Sequence, residues 1–336
     1  MKRWWFLGVT GTLMLLLVIL LIVHRKGYER GFNLLQSRQV ALENPATIES
    51  LKRMRRLGAN TVALVPFLHQ ADNGSEQVSL WPFTKYQSLE RVIGWAHELG
   101  MRVILKPQIL VGGGGWAGTV RPSNWATWFR SYGERILAFA DLAQRRGVEE
   151  LVVGTELVQA AEEPEWEALI AEVRRHYSGR LSYVAHGVAG LEHFAYWSLL
   201  DSAGVSLYPA LGTDDSVPAL RARIRNTLER LSDQIERLPV PLWIAEIGIA
   251  SRRLAHQRPW AWQDLGPEEQ AVDLELQKKV LALWLDELVR AGLDRKVLLW
   301  AWYNDPEAGG SGDNGFTIQN KPAEEVVQCY WEEECG

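Results

Sequence analysis

Beyond residue 30 the chain alternates short apolar runs with longer amphipathic ones. The apolar runs at 31–35, 60–65, 102–106, 151–156, 181–186, 205–208, 241–246 and 296–302 have the length and bounding residues of buried strands. Helical spacing recurs between them. Asn44 and Pro45 form a helix-start signal, after which Ile48, Leu51 and Met54 share one face. Leu89, Val92, Ile93, Ala96 and Leu99 repeat that spacing, and longer helical patterns run over 123–146, 163–178, 217–237 and 267–291. Gly58, Gly100, Gly147, Gly204 and Gly292 each stand between a helical pattern and the next apolar run, where a left-handed residue ends a helix. Eight strands alternating with helices over about 300 residues predict an α/β fold, a (β/α)8 barrel. A doubly wound sheet would carry a glycine-rich phosphate loop after its first strand. Here that strand leads into Asn33-Leu34-Leu35-Gln36, and no repeat or low-complexity linker divides the domain.

The N-terminal pattern is different. Residues 4–23 carry no charge, and at about 1.5 Å per residue they span a hydrocarbon core of about 30 Å. Met1-Lys2-Arg3 precedes this run and His24-Arg25-Lys26 follows it, without the small-residue pattern of a cleavage site. It therefore reads as an uncleaved signal anchor, a transmembrane helix over 1–27 ahead of a catalytic domain over 28–336. Positive charge on both flanks leaves orientation open by charge alone. The expected topology has a short cytoplasmic tail and a periplasmic or extracytoplasmic domain.

Composition adds three constraints. Apolar content of 47% and charged content of 23% fit a folded globular chain. A net charge of −5 without a basic stripe argues against a nucleic-acid partner. The two cysteines, Cys329 and Cys335, cannot frame a disulfide-held fold, and whether they pair is open.

Two of the apolar runs end in a carboxylate: Leu151-Val152-Val153-Gly154-Thr155-Glu156 and Pro241-Leu242-Trp243-Ile244-Ala245-Glu246. A buried strand has no structural use for an unpaired charge at its tip, because desolvating it is costly. Counted along the chain these are strands four and seven, and a barrel of this kind builds its site at the C-terminal ends of its strands. Two carboxyl groups facing one cleft are the equipment of a glycosidase: about 5–5.5 Å apart for retention, wider for inversion. Sixteen tryptophans, many for this length, fit sugar stacking as well as core packing.

At this point the chain resembles the clan A retaining glycoside hydrolases, most closely family 113, whose known members are β-mannanases. The resemblance rests on Gly154-Thr155-Glu156-Leu157, Ala245-Glu246-Ile247-Gly248, Leu105-Lys106-Pro107, Val205-Ser206-Leu207-Tyr208-Pro209 and Trp300-Ala301-Trp302. It includes Gly315-Phe316-Thr317-Ile318 followed by Lys321-Pro322-Ala323, and it covers the chain from about Arg30 to Tyr330. It implies that Glu156 is the acid/base and Glu246 the nucleophile. The acid should have a raised pKa, and the nucleophile should stay ionised among polar or cationic neighbours. Tyr208 would hold Glu246, and Trp302 would form the floor under the sugar. One departure stands out. Many clan A enzymes place Asn before the acid/base, on the sugar 2-hydroxyl, where this chain has Thr155.

Further candidates surround these. Lys106 after strand three either snorkels to solvent or binds substrate, and Gln108 is similar. Asn33 at strand one, His69 at strand two and His186 at the end of strand five are substrate contacts or structural hydrogen-bonding groups. Asn304 and Asp305 line the cleft or form a turn. Gly112-Gly113-Gly114-Gly115-Trp116 lacks the Lys-Ser/Thr of a phosphate loop and reads as a flexible loop carrying Trp116 to a substrate. Trp81, Trp125, Trp260 and Trp262 are candidates for a cleft rim. The histidines show no metal spacing, and no G-x-S-x-G elbow occurs, so the expected chemistry needs neither metal nor cofactor.

The expected protein is a membrane-anchored retaining glycoside hydrolase of a β-linked polysaccharide or oligosaccharide, with β-mannan the first substrate by resemblance. A different envelope exopolysaccharide is the alternative substrate, and a weakly active carbohydrate-binding or assembly barrel the alternative class.

Overall fold

The computed structural model describes residues 27–332. The expected anchor over 4–23 and Cys335 lie outside the described residues. Among the described residues no helix is long and apolar enough to cross a membrane.

Eight parallel strands close into a barrel: Glu29–Leu35, Thr61–Leu64, Arg102–Leu105, Glu150–Thr155, Arg180–His186, Ser202–Leu207, Leu242–Ile247 and Lys296–Tyr303. Each coincides with an expected apolar run, shifted only at its ends. The eighth strand closes the barrel on the first, from Glu29 opposite Lys296 to Leu35 opposite Tyr303.

Alternation along the strands builds two apolar layers. Ala63, Ile104, Val152, Val184, Trp243, Ala245 and Leu298 fill the barrel interior. Their neighbours, among them Phe32, Val62, Val103, Leu151, Val153 and Leu299, pack outward against the helices. At the N-terminal end the interior is closed by buried Glu150, which pairs with Lys296 and accepts from Ser202 at 3.2 Å.

The helix signals act as cap chemistry predicts. Asn124 caps Trp125–Arg146 by accepting from the Thr127 amide at 3.0 Å, and Gly147 ends that helix at φ 64°. Gly292 ends Leu274–Ala291 at φ 68°. Two expectations need correction. The pattern over 267–291 is split into Pro267–Gln270 and Leu274–Ala291, because Asp273 caps the second helix and Val272 bridges to Arg252. Gly204 ends no helix. It lies inside the sixth strand, where a side chain would run into Val184 and Trp243.

A second sheet was not anticipated. Pro66 and Pro107, which lack the amide donor a ladder needs, follow the second and third barrel strands. The chain then leaves the barrel and forms a small sheet at its mouth from Phe67–Gln70, Val78–Leu80 and Gln108–Val111, with Phe67 opposite Gln108.

Candidate active site

Both glutamates sit at irregularities of the barrel ladder. Between the sixth and seventh strands the register shifts between Ile244 and Glu246, and between the fourth and fifth it shifts between Val152 and Thr155. Such bulges re-aim side chains. Glu156 follows the fourth strand directly and adopts φ 54°. A left-handed conformation is uncommon for a residue with a side chain and concentrates at functional sites. It is fixed here because the Glu156 amide donates to the Val184 carbonyl at 2.8 Å and its carbonyl accepts from Val158 at 2.9 Å.

Glu246 is almost fully buried and surrounded by donors. Its Oε1 accepts from the Lys106 ammonium and from Gln108 Nε2 at 2.8 Å, and its Oε2 accepts from the Tyr208 hydroxyl at 3.0 Å. Lys106 is fully enclosed and also donates to Asn33 Oδ1 at 2.8 Å. The Asn33 amide donates in turn to the carbonyls of Ala245 at 2.9 Å and Leu299 at 3.3 Å. Asn33 therefore orients Lys106 beneath the carboxylate rather than facing the mouth. Lys106 does not snorkel, because its ammonium has a buried counter-ion.

Glu156 has a different shell. Its Oε1 is 3.0 Å from His186 Nδ1 and accepts from the Ser206 hydroxyl, and its Oε2 accepts from the Trp116 indole at 2.9 Å. Ser206 stands opposite Glu246 in the sheet register while its hydroxyl reaches Glu156. Trp116, at the end of the glycine-rich loop, also lies 4.5 Å from the His186 ring.

Residues 32–321 match Glycoside Hydrolase Family 113. The chain belongs to this family. It is a glycoside hydrolase of O-glycosidic bonds, with a polysaccharide or oligosaccharide as its substrate class. A family 113 β-1,4-mannanase structure superposes with a TM-score of 0.81 at 25% identity, covering 91% of this chain and 99% of that one. The family 113 β-mannanase AaManA from Alicyclobacillus acidocaldarius, in complex with ManMIm, gives 0.80 at 25% identity over 91% and 98%. A GH5_18 protein from Bifidobacterium longum subsp. infantis shares the fold alone, at TM-score 0.59 and 16% identity over 91% and 79%. No curated protein sequence matches the chain.

Electrostatics in this family 113 site run against the simplest expectation. Burial pushes the Glu156 carboxyl up, but the hydrogen bond and charge of His186, then the Ser206 and Trp116 donors, outweigh it and leave the pKa lowered. Burial raises Glu246, Lys106 pulls it back, and the charge of Glu156 adds to the rise. Burial lowers Lys106 against the opposing charge of Glu246. Burial and the neighbouring carboxylates push Tyr208 well above the ordinary phenol. His186 is raised: burial works against its charge, and Glu156 more than compensates. The His186, Ser206 and Trp116 donors explain why Glu156 is lowered rather than raised.

Trp302 is misplaced by the sequence reading. On the eighth strand Leu299 faces Phe32 and Trp302 faces Leu34, so three steps on one strand match two on the other and the side-chain alternation flips. Trp302 is consequently fully buried among the helices, 4.7 Å from the Phe32 ring, with its indole donating to Ser50 Oγ at 2.7 Å. Trp300 holds the mouth position instead, half-buried, with its ring 5.1 Å from Lys106 Nζ.

Two further candidates face elsewhere. Thr155 is buried, and its hydroxyl donates to the Pro107 carbonyl at 3.4 Å. His69 belongs to the small sheet, with its ring 5.4 Å from Trp81, because the second barrel strand ends at Leu64. Asn304 is structural: its side chain accepts from the Ser37 amide at 2.7 Å and donates to the Val40 and Ala41 carbonyls. Asp305 caps a turn by accepting from the Glu307 amide at 3.0 Å. Trp260 and Trp262 are largely exposed, whereas Trp125 packs against the core. Ser206 and Trp300 were quoted in motifs without a role. Their placement depends on register, which a single sequence does not display.

A cavity of about 1130 Å³ opens beside the ends of the first, second and eighth strands, with Val65, Trp81, Phe83 and Tyr303 in its walls. Neither glutamate lines it. Among the described residues no cluster of His, Cys, Asp or Glu could hold a metal ion.

Proposed function

We propose that this glycoside hydrolase is a retaining enzyme of β-linked mannan, with Glu246 as nucleophile and Glu156 as acid/base. The observation that carries the assignment is the donor set of Glu246. Donors on both oxygens and a buried ammonium beneath work against the burial that raises Glu246, and they fix its aim. Glu246 attacks the anomeric carbon as the bond to the leaving oxygen breaks, and Glu156 gives that oxygen a proton. Glu156 then takes a proton from water, whose oxygen displaces Glu246. The leaving oxygen approaches Glu156 at Oε2, where the Trp116 indole must give way.

The choice of mannan rests on the family 113 neighbours, which are β-1,4-mannanases. Proton NMR of the first products from mannan tests it. The β-anomer appearing first is the expected result. The α-anomer first overturns retention, and cleavage of glucan or galactan but not mannan overturns the sugar.

We also read residues 4–23 as an anchor with the barrel outside the membrane, on the strength of that uncharged run. Such placement favours processing of an envelope polysaccharide over feeding on a released one. Cell fractionation should find the full chain in the membrane and protease-accessible from outside. A wholly soluble chain would remove the anchor from the proposal.

Three outcomes arise here. His186→Gln removes the largest of the groups that hold Glu156 down, so burial is opposed only by the Ser206 and Trp116 donors and the pKa of Glu156 rises. The acid then stays protonated to higher pH, so the alkaline limb of the kcat/KM profile should move upward; a downward move would contradict the role of Glu156. Trp300→Ala should lower kcat/KM by about ten- to a hundredfold with the melting midpoint little changed, the loss of a substrate-facing aromatic contact worth a few kcal/mol at most. Trp302→Ala should instead cost about 3–5 kcal/mol in urea unfolding, as for other buried large-to-small changes.

A further inference from the structure

In a retaining attack the anomeric carbon sits about 3–3.5 Å from a nucleophile oxygen. The sugar's 2-oxygen is two bonds from that carbon, so it lies within reach of whatever else touches the carboxylate. Three side chains touch Glu246, and they differ in what they have left to offer. Lys106 is fully enclosed, its ammonium directed to Glu246 and Asn33. Tyr208 has a single hydroxyl proton, which goes to Oε2 at 3.0 Å. Gln108 is only half-buried, at the start of the small sheet on the barrel mouth. One proton of its Nε2 reaches Glu246 Oε1 at 2.8 Å, which leaves the second N–H and the amide oxygen.

Thr155 removes itself from this task. Its hydroxyl is buried and donates to the carbonyl of Pro107, the residue before Gln108. It braces the segment that presents Gln108.

We propose that Gln108 reads the 2-hydroxyl of the sugar held against Glu246, with its side-chain amide bridging that hydroxyl and the nucleophile. The proposal rests on the retaining reaction at Glu246. Hydrogen bonds to the 2-hydroxyl strengthen as the ring gains oxocarbenium character, so this contact should act on the transition state more than on binding. It also makes Gln108 the position at which an axial 2-hydroxyl is distinguished from an equatorial one.

The test compares aryl β-mannosides, aryl β-glucosides and the 2-deoxy glycoside common to both. Gln108→Ala should lower kcat/KM about a hundredfold on the preferred hydroxylated substrate, a share of the several kcal/mol such contacts supply. On the 2-deoxy substrate the loss should be at least about tenfold smaller; what remains there is the donor that Glu246 loses on either substrate, and the difference between the two losses is the 2-hydroxyl contact. An unchanged melting midpoint reports that the variant is folded. Gln108→Asn, which keeps a shortened amide, should fall between the two. Equal losses on both substrates would overturn the proposal, since Gln108 would then act only through Glu246. No loss on either would overturn it too. If the unaltered enzyme releases the α-anomer first, the retaining reaction itself fails, an outcome distinct from any behaviour of the variants; aryl β-mannobiosides and their 2-deoxy counterparts serve where the monoglycosides are not cleaved.

Discussion

Glu246→Ala should reduce hydrolysis by at least about 10⁴-fold, the scale on which losing a covalent nucleophile acts. Among the described residues the side chains that hydrogen-bond to this position are donors, so none of them can take over the covalent intermediate. Azide can enter the space left by the carboxylate and attack from the same face. Activity should therefore return in part, and the product should be the α-glycosyl azide, inverted relative to the substrate. The variant also strands the enclosed Lys106 ammonium. Losing one partner of a buried ion pair costs about 3–5 kcal/mol, eased here because burial already favours the neutral amine. Glu246→Gln keeps the volume and separates the chemical loss from the structural one. Normal turnover in either variant would end the assignment of Glu246.

Glu156→Ala should fail differently. General acid catalysis is worth about 10²–10⁴-fold, so oligosaccharide cleavage should fall by that range. Dinitrophenyl glycosides need no proton on the leaving oxygen, and their first step should be nearly spared. The glycosyl-enzyme should then accumulate, seen as a burst, because no base activates water. Azide needs no base and approaches from the face that Glu156 vacates, so it should restore turnover with the β-glycosyl azide as product. An α-azide from this variant would exchange the roles of the two glutamates. The His186, Ser206 and Trp116 donors lose their common acceptor in this variant, so a modest fall in stability should accompany it.

The barrel was legible because each of its strands is a local pattern. A buried parallel strand reads as a continuous apolar run, and Asn124, Gly147 and Gly292 announce helix ends by chemistry within a few residues. The glutamates were legible for the same reason, as charges at the tips of apolar runs. Thr155 and Trp302 show the limit. Both follow strict position along a strand, and both face away from the mouth because the ladder bulges near them.

The sequence by itself determined the eightfold strand–helix order and the strand tips that carry Glu156 and Glu246. These depend on periodicity and on counting strands, which are properties of one chain read in order. Tertiary structure alone decided that Lys106 lies beneath the nucleophile on an Asn33 bracket. It also decided that Ser206 and Trp116 reach the other carboxylate, and that Trp300 rather than Trp302 faces the mouth. Each of those depends on the register between strands distant in sequence. One bulge there reverses a side chain's direction without leaving a trace in its own strand's pattern.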